Sequence, residues 1–253
     1  MSRTAAPLKV DRHKQILAIV NTQKRISLMD LEAVLRTPRI TIQRDLVELE
    51  NRSLLRRFHG GVMSNDFSGD FYNYDMKKNV RIESKKKIAA KANRLLRENS
   101  TVCLDASSTV YYLSETMFPA NMTVLACSID AFKNLSNRDD LQVVLGGGRF
   151  HRKTATLYGP ELIAAIRKFH FDMAFISAES FIPGRGFFDP HEEEVAVKRA
   201  LIESSENTVL MIDSSKFAPA AGIQVCENDD ITWVITDSPD MASMRKMFRN
   251  RLM

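Results

Sequence analysis

Arg39, Thr41, Gln43 and Arg44 stand within six positions of one another, and all can hydrogen-bond. Arginine bonds bidentately to the guanine edge and glutamine to the adenine edge, so such a set on one helical face can tell base pairs apart. Thr37, Arg56 and Arg57 flank them and are of types that hold phosphates. A second constellation lies further along: Asp105-Ala106-Ser107-Ser108-Thr109, Gly146-Gly147-Gly148, Lys198, and Asp213-Ser214-Ser215-Lys216. Hydroxyls and amides at a helix start, glycines that admit close backbone approach, and lysines suit a small anion. Plainer readings exist for the same residues. Asp-Ser-Ser-Thr is also ordinary helix capping, and Lys198 can equally be an exposed, salt-bridged lysine.

The first constellation needs rigid support, and the neighbouring apolar residues provide it. Ile16, Leu17, Ile19 and Val20 make one face of a helix from Asp11 to Thr22. Ser27 caps a second short helix, in which Leu28, Leu31, Val34 and Leu35 keep helical spacing. Thr37-Pro38 is a restart signal: a capping hydroxyl with proline at the first helical position. Ile42, Leu46 and Leu49 then supply the buried stripe of a third helix. Two short helices joined by a tight turn, the second basic near its start, form a helix-turn-helix over residues 27–46 that fits the major groove. Residues 54–62, with alternation and a closing Gly60-Gly61, read as a winged hairpin carrying Arg56, Arg57 and His59. A plain three-helix bundle with solvated arginines is the alternative.

The chain has 253 residues and a formal charge of +5, unevenly spread. Its first 63 residues hold 12 of the 36 lysines and arginines but only 6 of the 31 acids, leaving the remainder near neutral. A cationic segment on a neutral body suggests a polyanion-binding module attached to a domain with another job. Three widely spaced cysteines without a Cys-x-x-Cys argue against a disulfide framework and a structural zinc site. No apolar run approaches membrane-spanning length, and the N-terminus lacks a signal-peptide core, so a cytoplasmic protein with no membrane partner is expected.

Beyond a helix over Lys85–Leu96, short apolar runs alternate with helical stretches. They are residues 101–104, 123–126, 141–145, 173–176, 209–212 and 233–235. This pattern indicates an α/β domain with a mainly parallel sheet, whose ligands sit beyond the carboxyl ends of the strands. The basic face of the first helix (Lys85, Lys86, Lys87, Lys91, Arg94) reads as solvated rather than DNA-bound. The expected organisation is a disordered segment 1–7, a winged helix-turn-helix domain 8–63, a linker 64–80 and a sensor domain 81–253.

The run Thr41-Ile42-Gln43-Arg44-Asp45-Leu46, followed by Leu55-Arg56-Arg57 and His59-Gly60-Gly61, resembles the DNA-binding domain of the DeoR family of bacterial repressors. Asp105 with Ser108-Thr109, Leu145-Gly146-Gly147, Glu194 to Arg199, and Asp213-Ser214-Ser215-Lys216-Phe217 resemble its effector domain. The chain departs from the family pattern at Gln43, where arginine is usual, and at Ser107, where glycine is usual. The resemblance implies a sensor fold related to ribose-5-phosphate isomerase and CoA transferases. It also implies a repressor of a carbohydrate-catabolic operon, released from double-stranded operator DNA by a phosphorylated sugar. Asp105, Ser107, Ser108, Thr109, Gly147, Lys198 and Lys216 are the expected effector residues. Asp45 is expected to pair with an arginine inside the domain, because phosphate repels a carboxylate. Palindromic operators imply a homodimer or tetramer.

The rival reading is a sugar-phosphate isomerase-like enzyme with an accessory DNA-binding domain, using Asp105, Asp172 or Glu179 as base. No sharp acid/base constellation supports it, and no catalytic residue, metal or cofactor is expected. His191 to Glu194 with the cysteines fits no established metal-ligand spacing.

Overall fold

The computed structural model describes residues 9–23, 25–51, 54–58, 60–64, 74–152, 154–217 and 222–253. The expected disordered segment 1–7 and His59 lie outside these residues. The chain divides into two units, Met1–Val80 and Arg81–Met253.

In the first unit, helix α1 (Lys9–Gln23) leads through strand β1 (Arg25–Ser27) to helices α2 (Leu28–Leu35) and α3 (Arg39–Asn51). Strands β2 (Leu55–Phe58) and β3 (Gly61–Ser64) follow, and then helix α4 (Tyr74–Asn79). The sheet order is β1-β3-β2, antiparallel throughout, so the wing is a three-stranded sheet. The sequence reading missed β1, a three-residue strand in which only Ile26 is apolar. Ile16, Val20, Ile26, Leu31, Leu35, Ile42, Leu46, Leu49, Leu55 and Val62 form one core. Val34, expected on the buried face of α2, is instead exposed, because Leu31 and Leu35 alone meet that core. The expected linker 64–80 is partly structured: Ser64 ends β3, and Tyr74–Asn79 is helical.

The start of α3 is one residue off the expectation. The Pro38 carbonyl accepts from the N–H groups of Thr41 (2.9 Å) and Ile42 (3.2 Å), so proline is the cap and not the first helical residue. Thr37 does not cap α3. Its hydroxyl donates to the Leu35 carbonyl at 3.0 Å, one of the carbonyls that the end of α2 leaves without a helical partner. Arg36, in left-handed backbone at φ 48°, makes the tight turn that brings them together.

The second unit contains helix α5 (Ile82–Asn93), strand β4 (Thr101–Leu104), helix α6 (Ser108–Thr116), strand β5 (Met122–Ala126), helix α7 (Ile129–Leu135) and strand β6 (Leu141–Leu145). Then come strands β7 (Arg149–His151) and β8 (Thr156–Tyr158), helix α8 (Pro160–Ile166), and strands β9 (Phe171–Ile176), β10 (Ser180–Ile182) and β11 (Gly186–Asp189). Helix α9 (Glu192–Glu203), strands β12 (Ser205–Met211), β13 (Ile223–Cys226) and β14 (Trp233–Ile235), and helix α10 (Met241–Phe248) complete it.

The main sheet is wholly parallel, in the order β14-β12-β9-β4-β5-β6. Alternate strand residues feed two cores, as a sheet covered on both faces requires. Cys103, Leu125, Ala174, Ile176, Leu210 and Val234 serve one. Val102, Leu104, Val124, Phe175, Val209 and Ile235 serve the other. The order reverses between β4 and β9, and it is beyond the strand carboxyl ends at such a switch point that α/β sheets bind ligands. The small β10-β11-β13 sheet and the β7-β8 hairpin were not legible as strands in the sequence. No helix among the described residues is long and apolar enough to cross a membrane.

Candidate nucleic-acid interface and anion site

Helix α3 buries Ile42, Asp45, Leu46 and Leu49 and turns its other side outward. Arg39 and Arg44 are exposed, while Thr41 and Gln43 are half-buried on the flanks. The centre of the exposed face is Ile40, Arg44 and Val47, at i, i+4 and i+7. Ile40 and Val47 were missed by sequence reasoning. The signal was present, because their spacing repeats that of the core stripe on the opposite side of the helix.

Asp45 explains how α3 is locked. Its carboxylate accepts from the Arg12 guanidinium, with one Nη2 bond at 3.1 Å, and meets His13 Nε2 at 3.1 Å. All three side chains are buried. Burial works to raise the Asp45 pKa, but the Arg12 and His13 hydrogen bonds outweigh it and hold the carboxyl below its ordinary range. Asp45 thus faces inward as an intramolecular partner. On the wing, Arg56 and Arg57 are exposed. Arg57 donates from Nε (2.7 Å) and its backbone N–H (2.9 Å) to Glu50, a surface pair that ties β2 to α3 and can re-pair cheaply. Thr37, expected to position a phosphate, is buried with its hydroxyl committed, and is withdrawn from the interface.

In the second unit Asp105 to Thr109 follow β4 and Ser177 follows β9, on either side of the switch point, while Gly147 follows β6 and Lys216 follows β12. Asp105, at the end of β4, is 1% exposed. Its Oδ1 accepts the Ser107 N–H (2.8 Å) and its Oδ2 the Ser177 N–H beyond β9 (2.9 Å), so it braces the two strands at the switch point. Lys198, on α9, is 6% exposed, forms an ion pair with Asp189 at the end of β11, and lies 3.7 Å from Asp105 Oδ2. Burial pushes the Asp105 pKa up, against the opposing pull of Lys198 and the Ser107 and Ser177 bonds. The Lys198 ammonium is held charged by Asp189 and Asp105, despite burial. A lysine enclosed by two carboxylates has no positive charge to spare for an anion. Lys198 and Asp105, expected as effector contacts, are thus buried and bonded within the protein, in a network that ties α9 to the ends of β4 and β11.

The network continues outward. Asp189 Oδ1 accepts the Glu179 N–H at 2.8 Å, and the Glu179 carboxylate pairs with Lys216, whose side chain is partly exposed. Asp189 was missed in the sequence, although an acid closing the apolar run Gly186-Phe187-Phe188 was a signal. Nearby, Asp213 accepts from Ser215 N–H at 3.0 Å and pairs with Arg81 at 3.3 Å.

The remaining candidates for an anion contact are mostly backbone groups. Ser107 caps α6, its hydroxyl accepting the Val110 N–H at 3.2 Å. Ser108, half-buried, and Thr109, buried, contribute the first amides of that helix, at its positive dipole end. Gly147 is exposed with φ +80°, and a Cβ there would meet nothing within 4 Å, so its backbone conformation, and not packing, requires glycine. At Gly148 a Cβ would lie 2.5 Å from the Tyr158 carbonyl, so packing forbids one. A separate depression lined by His151, Thr156, Tyr158, His191, Glu193 and Glu194 is carboxylate-rich, the wrong sign for phosphate at neutral pH. On α5, Lys85 is buried and Lys91 donates to the carbonyls of Thr236 (3.2 Å) and Met253 (3.1 Å), so the basic face is only partly solvated. The three cysteines are buried and free.

Residues 12–67 match the DeoR-like helix-turn-helix domain, and residues 80–238 match the DeoR C terminal sensor domain. The chain belongs to the DeoR family. The L-fucose operon activator of Haemophilus influenzae is 32% identical over 89% of this chain and 91% of its own length. The HTH-type transcriptional repressor GlcR of Bacillus subtilis is 29% identical over 95% and 93%. Ribose 5 phosphate isomerase A from Neisseria gonorrhoeae overlaps 55% of this chain and 54% of its own, at TM-score 0.38 and 16% identity. This DeoR protein is thus a relative of DNA-binding transcriptional regulators, and its relatives are named for regulation, not catalysis. Its departure at Ser107 is structurally mild. The residue sits in extended backbone (φ −72°, ψ 151°), which needs no glycine, and gains a capping hydroxyl.

Proposed function

We propose that this DeoR-family regulator represses a carbohydrate-catabolic operon and releases its operator when a phosphorylated sugar binds the second unit. The observation that carries the DNA half is α3. Its inner face is packed into the core and its outer face presents Arg44, with Arg39, Thr41 and Gln43 beside it, while Arg56 and Arg57 on the wing reach phosphates. The second unit takes the effector's phosphate on the Ser108 and Thr109 amides and the Gly147 turn. Lys216 joins when phosphate displaces Glu179. The protein works as a homodimer or tetramer on a palindromic site. The effector acts by binding the operator-free arrangement more tightly, since equal affinity would shift nothing.

Fluorescence anisotropy on the duplex upstream of its own gene tests the DNA half. Wild type binds and weakens steeply with salt, as phosphate contacts require. Failure to bind at low salt overturns the reading. A phosphosugar panel read by thermal shift tests the sensor half: a phosphorylated sugar raises Tm, whereas the parent sugar does not. A promoter fusion gives the sign, with expression rising on deletion if the protein represses.

A further inference from the structure

Helix α3 carries an apolar line on its outer side that neither the core nor the hydrogen-bonding residues explain. Ile40 is 60% exposed and Val47 is 40% exposed, although Ile42, Leu46 and Leu49 already fill the inner face. Arg44 lies between them, one turn from Ile40, and Arg36, Arg39 and Arg44 keep the surroundings cationic. Ile40 is the second residue of the helix, in the stretch of a recognition helix that meets base edges. The edges of the major groove expose one apolar group, the C5-methyl of thymine. We propose that Ile40 is a specificity-determining residue that seats a thymine methyl.

The inference rests on the DNA-reading function proposed above and adds to it the identity of a base. Geometry fixes where that base lies. Four residues of helix advance about 6 Å, or roughly two base steps, so the thymine falls within about two base pairs of the base met by Arg44. Charge decides the occupant. A protein partner for an isoleucine with exposed Arg36, Arg39 and Arg44 within four positions would need a matching acidic rim, whereas duplex DNA supplies phosphates on both sides of the methyl.

The test uses the full chain. Duplexes enriched from a random-sequence pool are remade with deoxyuridine replacing thymidine one position at a time, which deletes only the methyl, and affinity is read by anisotropy. Wild type is expected to lose about fourfold at one thymine in each half-site, the effect of one buried methyl-sized group. Ile40→Ala binds the parent duplex more weakly by a similar factor and is indifferent to the same uracil. Ile40→Val retains part of the uracil penalty. Because Ile40 is exposed, its variants keep the wild-type circular dichroism. The proposal is overturned if no single uracil affects wild type, or if Ile40→Ala shows the wild-type uracil penalty. It is also overturned if Ile40→Ala changes the sedimentation coefficient while the penalty stays, which makes Ile40 a protein contact. Failure to enrich any duplex overturns the DNA-binding reading itself, a result distinct from the other three.

Discussion

Both units bury a carboxylate beside a cation, but they use charge in opposite ways. Among the described charged residues of the first unit, Asp45, Arg12 and His13 are drawn inside, and Arg39 and Arg44 of α3 and Arg56 and Arg57 of the wing stay at the surface. In the second, Asp105, Asp189 and Lys198 are buried at the very edge where a ligand would sit, and Glu179 pairs with Lys216 above them. A surface that meets a polyanion gains from cations held at the surface, where phosphates can replace counterions and exposed partners such as Glu50 of the Arg57 pair. A crevice that meets one phosphate can rely on backbone amides and a displaceable ion pair, since a free buried lysine would be costly while the site is empty.

The contrast breaks most severely at Lys198. Lys198→Ala leaves two buried carboxylates without their cation and is expected to cost about 4–5 kcal/mol, read by urea denaturation of the second unit. Asp45→Ala strands the Arg12 guanidinium and costs about 3 kcal/mol in the first unit. Hydrogen exchange, which reports each unit in the intact chain, separates the two losses.

Acid sharpens the same comparison, because the two carboxylates shift in opposite directions. Asp45 is lowered, so its stabilising contribution is present above the ordinary aspartate value and is lost as pH falls through the lowered folded value. Asp105 is raised, so the folded state holds its proton more tightly, and its contribution grows as pH falls from the raised value toward the ordinary one. Hydrogen exchange, corrected for intrinsic rates, is expected to show the first unit loosening below about pH 4, after the second has gained protection. Loosening in the reverse order counts against these assignments.

Smaller effects probe function. Arg44→Ala is expected to weaken operator binding by about 1–3 kcal/mol and to relax base preference at one position, measured by anisotropy on base-substituted duplexes. Glu179→Gln frees Lys216 at a stability cost under about 1 kcal/mol. It is expected to raise phosphosugar affinity several-fold by calorimetry, whereas Lys216→Gln lowers it. Unchanged affinity in both removes the pair from the site.

Much of this was legible along the chain. The six parallel strands were visible as apolar runs, and β4, β6 and β14 have the expected bounds, although β6, at the sheet edge, is only half-buried and carries Gln142. The stripe Ile42, Leu46, Leu49 placed α3 and its inner face. Less legible were strands whose burial depends on distant partners, such as β1, β10, β11 and β13. The fate of Lys198 was also hidden, since Asp189 lies on an antiparallel strand that no local pattern announced.

The sequence by itself determined the two-unit plan, the reading helix and the parallel sheet, because periodicity and charge asymmetry are local properties of the chain. Only the tertiary structure decided which charged groups are available. Folding fixes what lies within a few ångströms of each group: it buried Lys198, Asp105 and Thr37 against internal partners and left Ile40 exposed on the outer face of α3.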